Sequence, residues 1–96
     1  MSLLGRTRQG ERARRPVRHV TFYTKPGCHL CEHAEELLED ARPDYDLCVT
    51  VIDITTDLTI FERYRYDIPV IVVEGGAAVS GRIGAAGLRQ ALESAT

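Results

Sequence analysis

The 96-residue sequence contains no tryptophan, one methionine, two phenylalanines and three cysteines. It also lacks any apolar run near the roughly 18 to 20 residues that a membrane-spanning helix needs. The longest run, Ile68 to Val73, has strand length and contains Pro69. A transmembrane protein is excluded on that ground. Low-complexity tracts and internal repeats are absent, which argues against disordered and fibrous classes. The N-terminus has no apolar segment of the kind a secretory signal carries. It is Arg-rich, as an organellar transit peptide would be, but it is short and includes Glu11. A soluble cytoplasmic protein is expected. The length allows one domain and no more.

Charge is also missing where a nucleic-acid-binding domain would need it. The formal net charge is -2, but it is divided unevenly. Residues 1–18 carry six Arg (Arg6, Arg8, Arg12, Arg14, Arg15, Arg18) against Glu11, and residues 19–96 carry six bases against thirteen acids. Phosphate contact requires a basic face, and the body of the chain is acidic. Neither a nucleic-acid nor a membrane partner is expected. Residues 1–16 have no sustained apolar period and read as a flexible Arg-rich arm. Residues 17–96 read as the domain, and part of Met1 to Leu4 is compatible with an expression scar.

What the domain does have is a regular succession of periods. Arg18 to Thr24 is β-branched and aromatic, with Val20 and Phe22 on one face, and it ends at Lys25-Pro26-Gly27. Leu30, Ala34, Leu37, Leu38 and Ala41 then recur at helical spacing, with Glu32, Glu35, Glu36, Glu39 and Asp40 on the other side. This predicts a helix from about Cys28 to Arg42, stopped by Pro43. Leu47 to Ile54 predicts a buried second strand, and Thr55-Thr56-Asp57 offers capping oxygens to a short helix carrying Leu58, Phe61 and Tyr64. Pro69 to Val73 and Ala78 to Ser80 form an antiparallel hairpin turned at Glu74-Gly75-Gly76-Ala77, and a final helix carries Ala85, Leu88, Ala91, Leu92 and Ala95. The order βαβαββα requires an α/β fold with a four-stranded mixed sheet and helices on both faces.

The chemistry is concentrated in Cys28-His29-Leu30-Cys31, where the first strand hands over to the first helix. Four readings compete for such a pair: structural zinc, haem attachment, cluster ligation and a redox dithiol. Covalent haem requires a histidine directly after the second cysteine, and Glu32 stands there. A four-ligand zinc site would need a second pair, and only Cys48, His19 and His33 remain. Position favours the dithiol. The unpaired N–H groups and partial positive charge of a helix start stabilise a thiolate. Cys28 is therefore the expected nucleophile, and Cys31, one turn on, the expected resolving thiol. Lys25 and a protonated His29 would add positive charge beside it, while Glu32, Glu35 and Glu36 work against a very low pKa. A reduced, inert pair is the bland alternative.

Tyr23-Thr24-Lys25-Pro26-Gly27-Cys28-His29-Leu30-Cys31 resembles the active-site segment of glutaredoxins and glutaredoxin-like proteins of the thioredoxin fold, and Ile68-Pro69-Val70 resembles that fold's cis-proline segment. The resemblance runs from about Val17 to Ala95. It implies a cis Pro69 beside the cysteine pair, an exposed Cys28 and a partly shielded Cys31. It also implies that the backbone at Ile68 pairs with the bound thiol substrate and that Lys25 meets a glutathione carboxylate. His29-Leu30 replaces the usual dipeptide between the cysteines. The stretch Ser80-Gly81-Arg82-Ile83-Gly84 stands where glutaredoxins carry Gly-Gly followed by acids, and only Gly81 fits, with Arg82 available to a carboxylate.

The resulting expectation is a thiol–disulfide oxidoreductase. Cys28 and Cys31 are catalytic; Lys25, His29, Leu30, Ile68, Pro69, Gly81 and Arg82 bind substrate; no metal is held. No organic cofactor is required, and a low-molecular-weight thiol such as glutathione can act as reductant. Partners are disulfide-containing proteins or small thiols, and the chain is expected to be monomeric. Two alternatives belong to other classes: an iron–sulfur or metal-carrying module with Cys28 as ligand, and a redox-silent interaction domain. Cys48 reads as a buried strand cysteine, His33 as a surface residue, His19 as carrying no distinguishing signal, and Tyr64 as core.

Overall fold

The run Val17–Thr24 forms strand β1 in a computed structural model that describes residues 15–96. The expected arm over 1–16 lies, through residue 14, outside the described residues. At its margin, Arg15 donates to the Arg42 carbonyl at 2.7 Å, and the Pro16 carbonyl accepts from the Asp46 N–H at 2.8 Å.

After β1 come helix α1 (His29–Ala41), strand β2 (Asp46–Asp53), a 3-10 turn at Ile54–Thr56 and helix α2 (Leu58–Tyr64). Strands β3 (Val70–Val73) and β4 (Ala78–Ser80) and helix α3 (Ala85–Glu93) complete the chain. The sheet order is β2-β1-β3-β4, with β1 and β2 parallel and both other pairings antiparallel. This is the mixed four-stranded sheet of the thioredoxin-like fold. The Glu74–Ala77 turn uses Gly75 at φ +75°, a conformation that costs glycine nothing, and the Gly76 N–H donates to the Val73 carbonyl at 2.9 Å.

Register explains where the core sits. Val20 pairs with Val73 and Phe22 with Ile71, so these four side chains share one face of the sheet. They join Ala34 and Leu38 of α1 and Leu88 and Leu92 of α3 in a single buried cluster. Fully burying one such Leu or Phe stabilises the fold by roughly 1.5–3 kcal/mol. On the opposite face Tyr23 stacks on Tyr64 of α2, ring centroids 4.1 Å apart and 21° between planes. Tyr64 is thus half-buried against the second face rather than in the main core. Coverage of the two faces is unequal, because no residue of the seven-residue α2 is buried.

The place of β2 in the sheet corrects two expectations. The second strand is not buried: β2 is a sheet edge, and Val51 is 58% exposed. Cys48 is exposed as well. Leu47 enters the core and Val49 packs against it, so alternation turns Cys48 to the second face. There it lies in register with exposed His19, four register positions from Tyr23, on which Tyr64 of α2 stacks. The strand also ends one residue earlier than expected, at Asp53, whose side chain caps the 3-10 turn through the Thr55 N–H.

The far end of the molecule is tied by polar contacts. Arg18 donates to the Leu92 carbonyl at 2.6 Å, and the Tyr45 hydroxyl donates to the Glu93 carboxylate. The Ser94 hydroxyl accepts from the Ala77 N–H at 2.9 Å and donates to the Ala91 carbonyl at 2.6 Å. A Cβ added at Gly76 would lie 2.7 Å from that hydroxyl and 3.0 Å from the Ala95 nitrogen, so the hairpin closes directly on the end of α3.

Two outcomes are expected. Leu38→Ala, emptying the contact between α1 and the sheet, should destabilise the protein by about 2–5 kcal/mol in denaturant titration. Iodoacetamide added to the native protein without reductant should attach once, at Cys48, as read by peptide mass.

Candidate functional site

The turn from β1 into α1 sets the site. Pro26-Gly27 supplies the fixed φ and the positive φ that the centre of a type II turn requires, and Gly27 has φ +76°. No atom lies within 4 Å of a Cβ built there, so the demand for glycine is conformational rather than steric. The chain leaves this turn in extended conformation at Cys28 (φ -101°, ψ 107°) and becomes helical at His29. Cys28 is thus the N-cap of α1, one residue outside the helix that the periodicity predicted to begin there. Its Sγ accepts the Cys31 N–H at 3.1 Å, and its carbonyl accepts the Glu32 N–H at 3.1 Å. A sulfur has taken the place that Ser or Asp usually fills at a helix start, and the same N–H donor and helix field would hold a thiolate.

Cys28 and Cys31 are joined in a disulfide with Cα atoms 5.1 Å apart. The two sulfurs differ in access: Cys31 is 3% exposed and belongs to the core cluster, whereas Cys28 is half-exposed at its edge. An incoming sulfur nucleophile therefore meets Cys28.

A cavity of about 260 Å³ opens on the pair. It is lined by the turn from Thr24 to Cys28, by Cys31, and by three carboxylate side chains, Glu32, Glu35 and Asp53. Asp53 reaches it through topology: β2 is parallel to β1, and Asp53 is in register with Thr24. Its carboxylate accepts from the Thr55 hydroxyl at 2.6 Å and the Thr55 N–H at 2.9 Å. These bonds, the hydroxyl first, hold its pKa below the usual carboxylate value.

Of the residues singled out in the sequence, Lys25, Cys28 and Cys31 share the cavity. A second group gathers at the start of β3. The Ile68–Pro69 peptide bond is cis. The Gly81 N–H, at φ +71°, donates to the Pro69 carbonyl at 2.9 Å and the Asp67 carbonyl at 3.2 Å. The Ile68 N–H is already engaged by the Tyr64 carbonyl at 3.2 Å. Leu30 is half-buried and Arg82 is exposed, and neither lines the cavity. The His29 side chain is 96% exposed, with its Nδ1 3.4 Å from a Glu32 carboxylate oxygen. Asp53 was not singled out in the sequence. The signal was available: parallel strands end on the same side, which puts the last residue of the second beside the turn that follows the first. Among the described residues, no group of three or more His, Cys, Asp or Glu side chains is placed to hold a metal ion. No helix among them is long and apolar enough to cross a membrane.

Comparison with known proteins agrees with this geometry. Residues 19–93 match the family model described as "Glutaredoxin-like domain (DUF836)". A glutaredoxin-like protein of Dictyostelium discoideum is 29% identical over 62 residues, covering 58% of this chain and 57% of that protein. The Gene 56 protein of Mycobacterium phage D29 is 34% identical over 61 residues, covering 57% of this chain and 62% of the phage protein. Each match thus spans less than two thirds of the relative's length. The X-ray structure of the structural genomics target protein XcR50 from X. campestris superposes with a TM-score of 0.69 at 28% identity, covering 80% of this chain and 99% of that one.

The Asp53 arrangement has a pH consequence with a defined sign. Because the folded pKa is depressed, the bonds from Thr55 favour the native state above the ordinary carboxylate range, and that contribution is lost as pH falls through the native value. In an NMR titration Asp53 should ionise below a reference carboxylate, and Thr55→Val should move its midpoint back up.

Proposed function

The chain belongs to the glutaredoxin-like domain family, and from that premise we propose that it is a thiol–disulfide oxidoreductase that reduces protein disulfides or mixed disulfides. The observation that carries this reading is the Cys28–Cys31 disulfide at the start of α1, with one sulfur accessible and the other buried. In the reduced protein the Cys28 thiolate, held by the Cys31 N–H and the helix field, attacks one sulfur of the substrate disulfide. A mixed disulfide forms and the first substrate sulfur leaves as a thiolate. The Cys31 thiol loses its proton to solvent and attacks the Cys28 sulfur, which releases the second substrate thiolate and closes the Cys28–Cys31 bond. Two electrons have passed to the substrate. A low-molecular-weight thiol, such as glutathione, returns the pair to the dithiol.

In this reading the other residues have separate places. Ile68, Pro69 and Gly81 form the edge along which the substrate backbone lies. Lys25 stands in the cavity wall, while His29, Leu30 and Arg82, which do not line that cavity, are assigned to the substrate outside it. The dithiol is itself the redox centre. The protein acts as a monomer in the cytoplasm, a compartment whose thiol pool favours the reducing direction.

The test is a redox titration of metal-free protein against defined thiol buffers, with the disulfide read by mass. A reversible two-electron transition is expected in or near the roughly -270 to -180 mV covered by known reductases and isomerases. Cys31→Ser should accumulate as a mixed disulfide on Cys28, because the resolving step is removed. If no reversible disulfide forms, this reading is wrong.

A further inference from the structure

We propose that the cavity beside the disulfide is a charge-selective subsite, and that its carboxylates favour substrates with a Lys or Arg side chain next to the reacting cysteine over anionic thiols. This deepens the oxidoreductase reading and rests on it. The wall carries Glu32, Glu35 and Asp53 against Lys25. Two acids of α1 outside the cavity have basic neighbours: Glu39 is 2.9 Å from Arg42, and Glu36 is 4.0 Å from His33, which is a cation only when protonated. Glu32 has only His29, at 3.4 Å, which is a cation only when protonated. Among the described residues, Glu35 and Asp53 have no cation within 4.0 Å, and Lys25 has no carboxylate within that distance. Three carboxylates against one lysine leave the cavity wall with an excess of negative charge. The Thr55 bonds that hold Asp53 in its ionised form keep that charge present at neutral pH.

Size and placement fit a side chain. At about 260 Å³ the cavity falls short of the roughly 300–1,000 Å³ that encloses a drug-sized ligand. It is in scale with one long side chain entering from a chain that lies outside. Strands β2 and β3 stand on opposite sides of β1, so Asp53 and Pro69 flank the dithiol from two directions. A substrate with its sulfur at Cys28 has the proline segment on one side and the acidic cavity on the other. Glutathione carries two carboxylates and one ammonium, so its net charge is of the disfavoured sign. The effect is electrostatic at a surface cavity and is screened over about 10 Å at 0.1 M salt.

The chemical step is thiol–disulfide exchange. The Cys28 thiolate displaces one thiolate from a disulfide RSSR, and Cys31 then displaces the second, so the protein loses two electrons and two protons while RSSR becomes two RSH. The test measures the rate of this oxidation for the reduced protein with three small disulfides of similar length: cystamine, hydroxyethyl disulfide and dithiodipropionate, which are cationic, neutral and anionic. Each rate is divided by that of mercaptoethanol with the same disulfide, which removes differences in leaving group. The normalised preference for cystamine over dithiodipropionate should be at least about tenfold at low salt and should fall as salt rises. In the double variant Glu35→Gln, Asp53→Asn, whose amides keep an acceptor for Thr55, it should approach one. The preference is a ratio within one protein, so a general change in Cys28 reactivity cancels. If all three disulfides oxidise the dithiol with no cationic preference, or with one the double variant retains, the subsite is overturned and the oxidoreductase reading stands. If none oxidises it, the oxidoreductase reading falls and the subsite falls with it.

Discussion

Two strands that run in the same direction cannot be joined by a hairpin, and this constraint organises the molecule. β1 and β2 pair in parallel over eight residues, from Val17 with Asp46 to Thr24 with Asp53. The chain must return the length of the sheet between them, and α1 makes that return. Both strands therefore end where α1 begins. β3 runs antiparallel to β1 and starts at the same end, with Val70 opposite Tyr23. The helix start, the last residue of β2 and the cis-proline segment are thereby collected at one sheet end from positions more than 40 residues apart, with no loop needed to carry any of them there.

At that end the fold separates two cysteines only three residues apart. Cys31 lies on the face of α1 that packs with Ala34 and Leu38, and is buried with them. Cys28 precedes the helix and keeps access to solvent. The N-cap position also places the reactive sulfur against backbone donors whose dipoles are fixed before any reaction, so no reorganisation is needed to receive charge. The acids of the first helical turns oppose this field in part. The sulfur thus sits between a favourable backbone and an unfavourable set of side chains.

Much of this was legible in the sequence, because the relevant signals are local. The 3.6-residue period of α1, the turn residues Lys25-Pro26-Gly27 and the hairpin glycines each act within a few positions. Strand β4 has the bounds its sequence suggests, Ala78–Ser80. The cis form of Pro69 was legible only through the family resemblance, since about 5 to 6% of X–Pro bonds in folded proteins are cis. What the local pattern missed was set by pairing across the sheet. Leu47 to Ile54 has the β-branched composition of a buried strand, yet its place at the edge leaves Cys48 and Val51 exposed. Likewise nothing around Asp53 marks it; its neighbour in the site, Thr24, is 29 positions away in sequence and is joined to it by register alone.

The closure of the β3–β4 turn on the end of α3 ties the edge hairpin to the C-terminal helix. Ser94 holds the Ala77 N–H and the Ala91 carbonyl through a single hydroxyl, and the missing side chain at Gly76 lets the two backbones approach this closely. When the last turn of α3 frays, that donor in the hairpin loses its partner at the same moment. The hairpin and the C-terminal helix are thus joined twice, by this polar contact at their tips and by the packing of Ile71 and Val73 with Leu88 and Leu92, which couples the opening of one to the other.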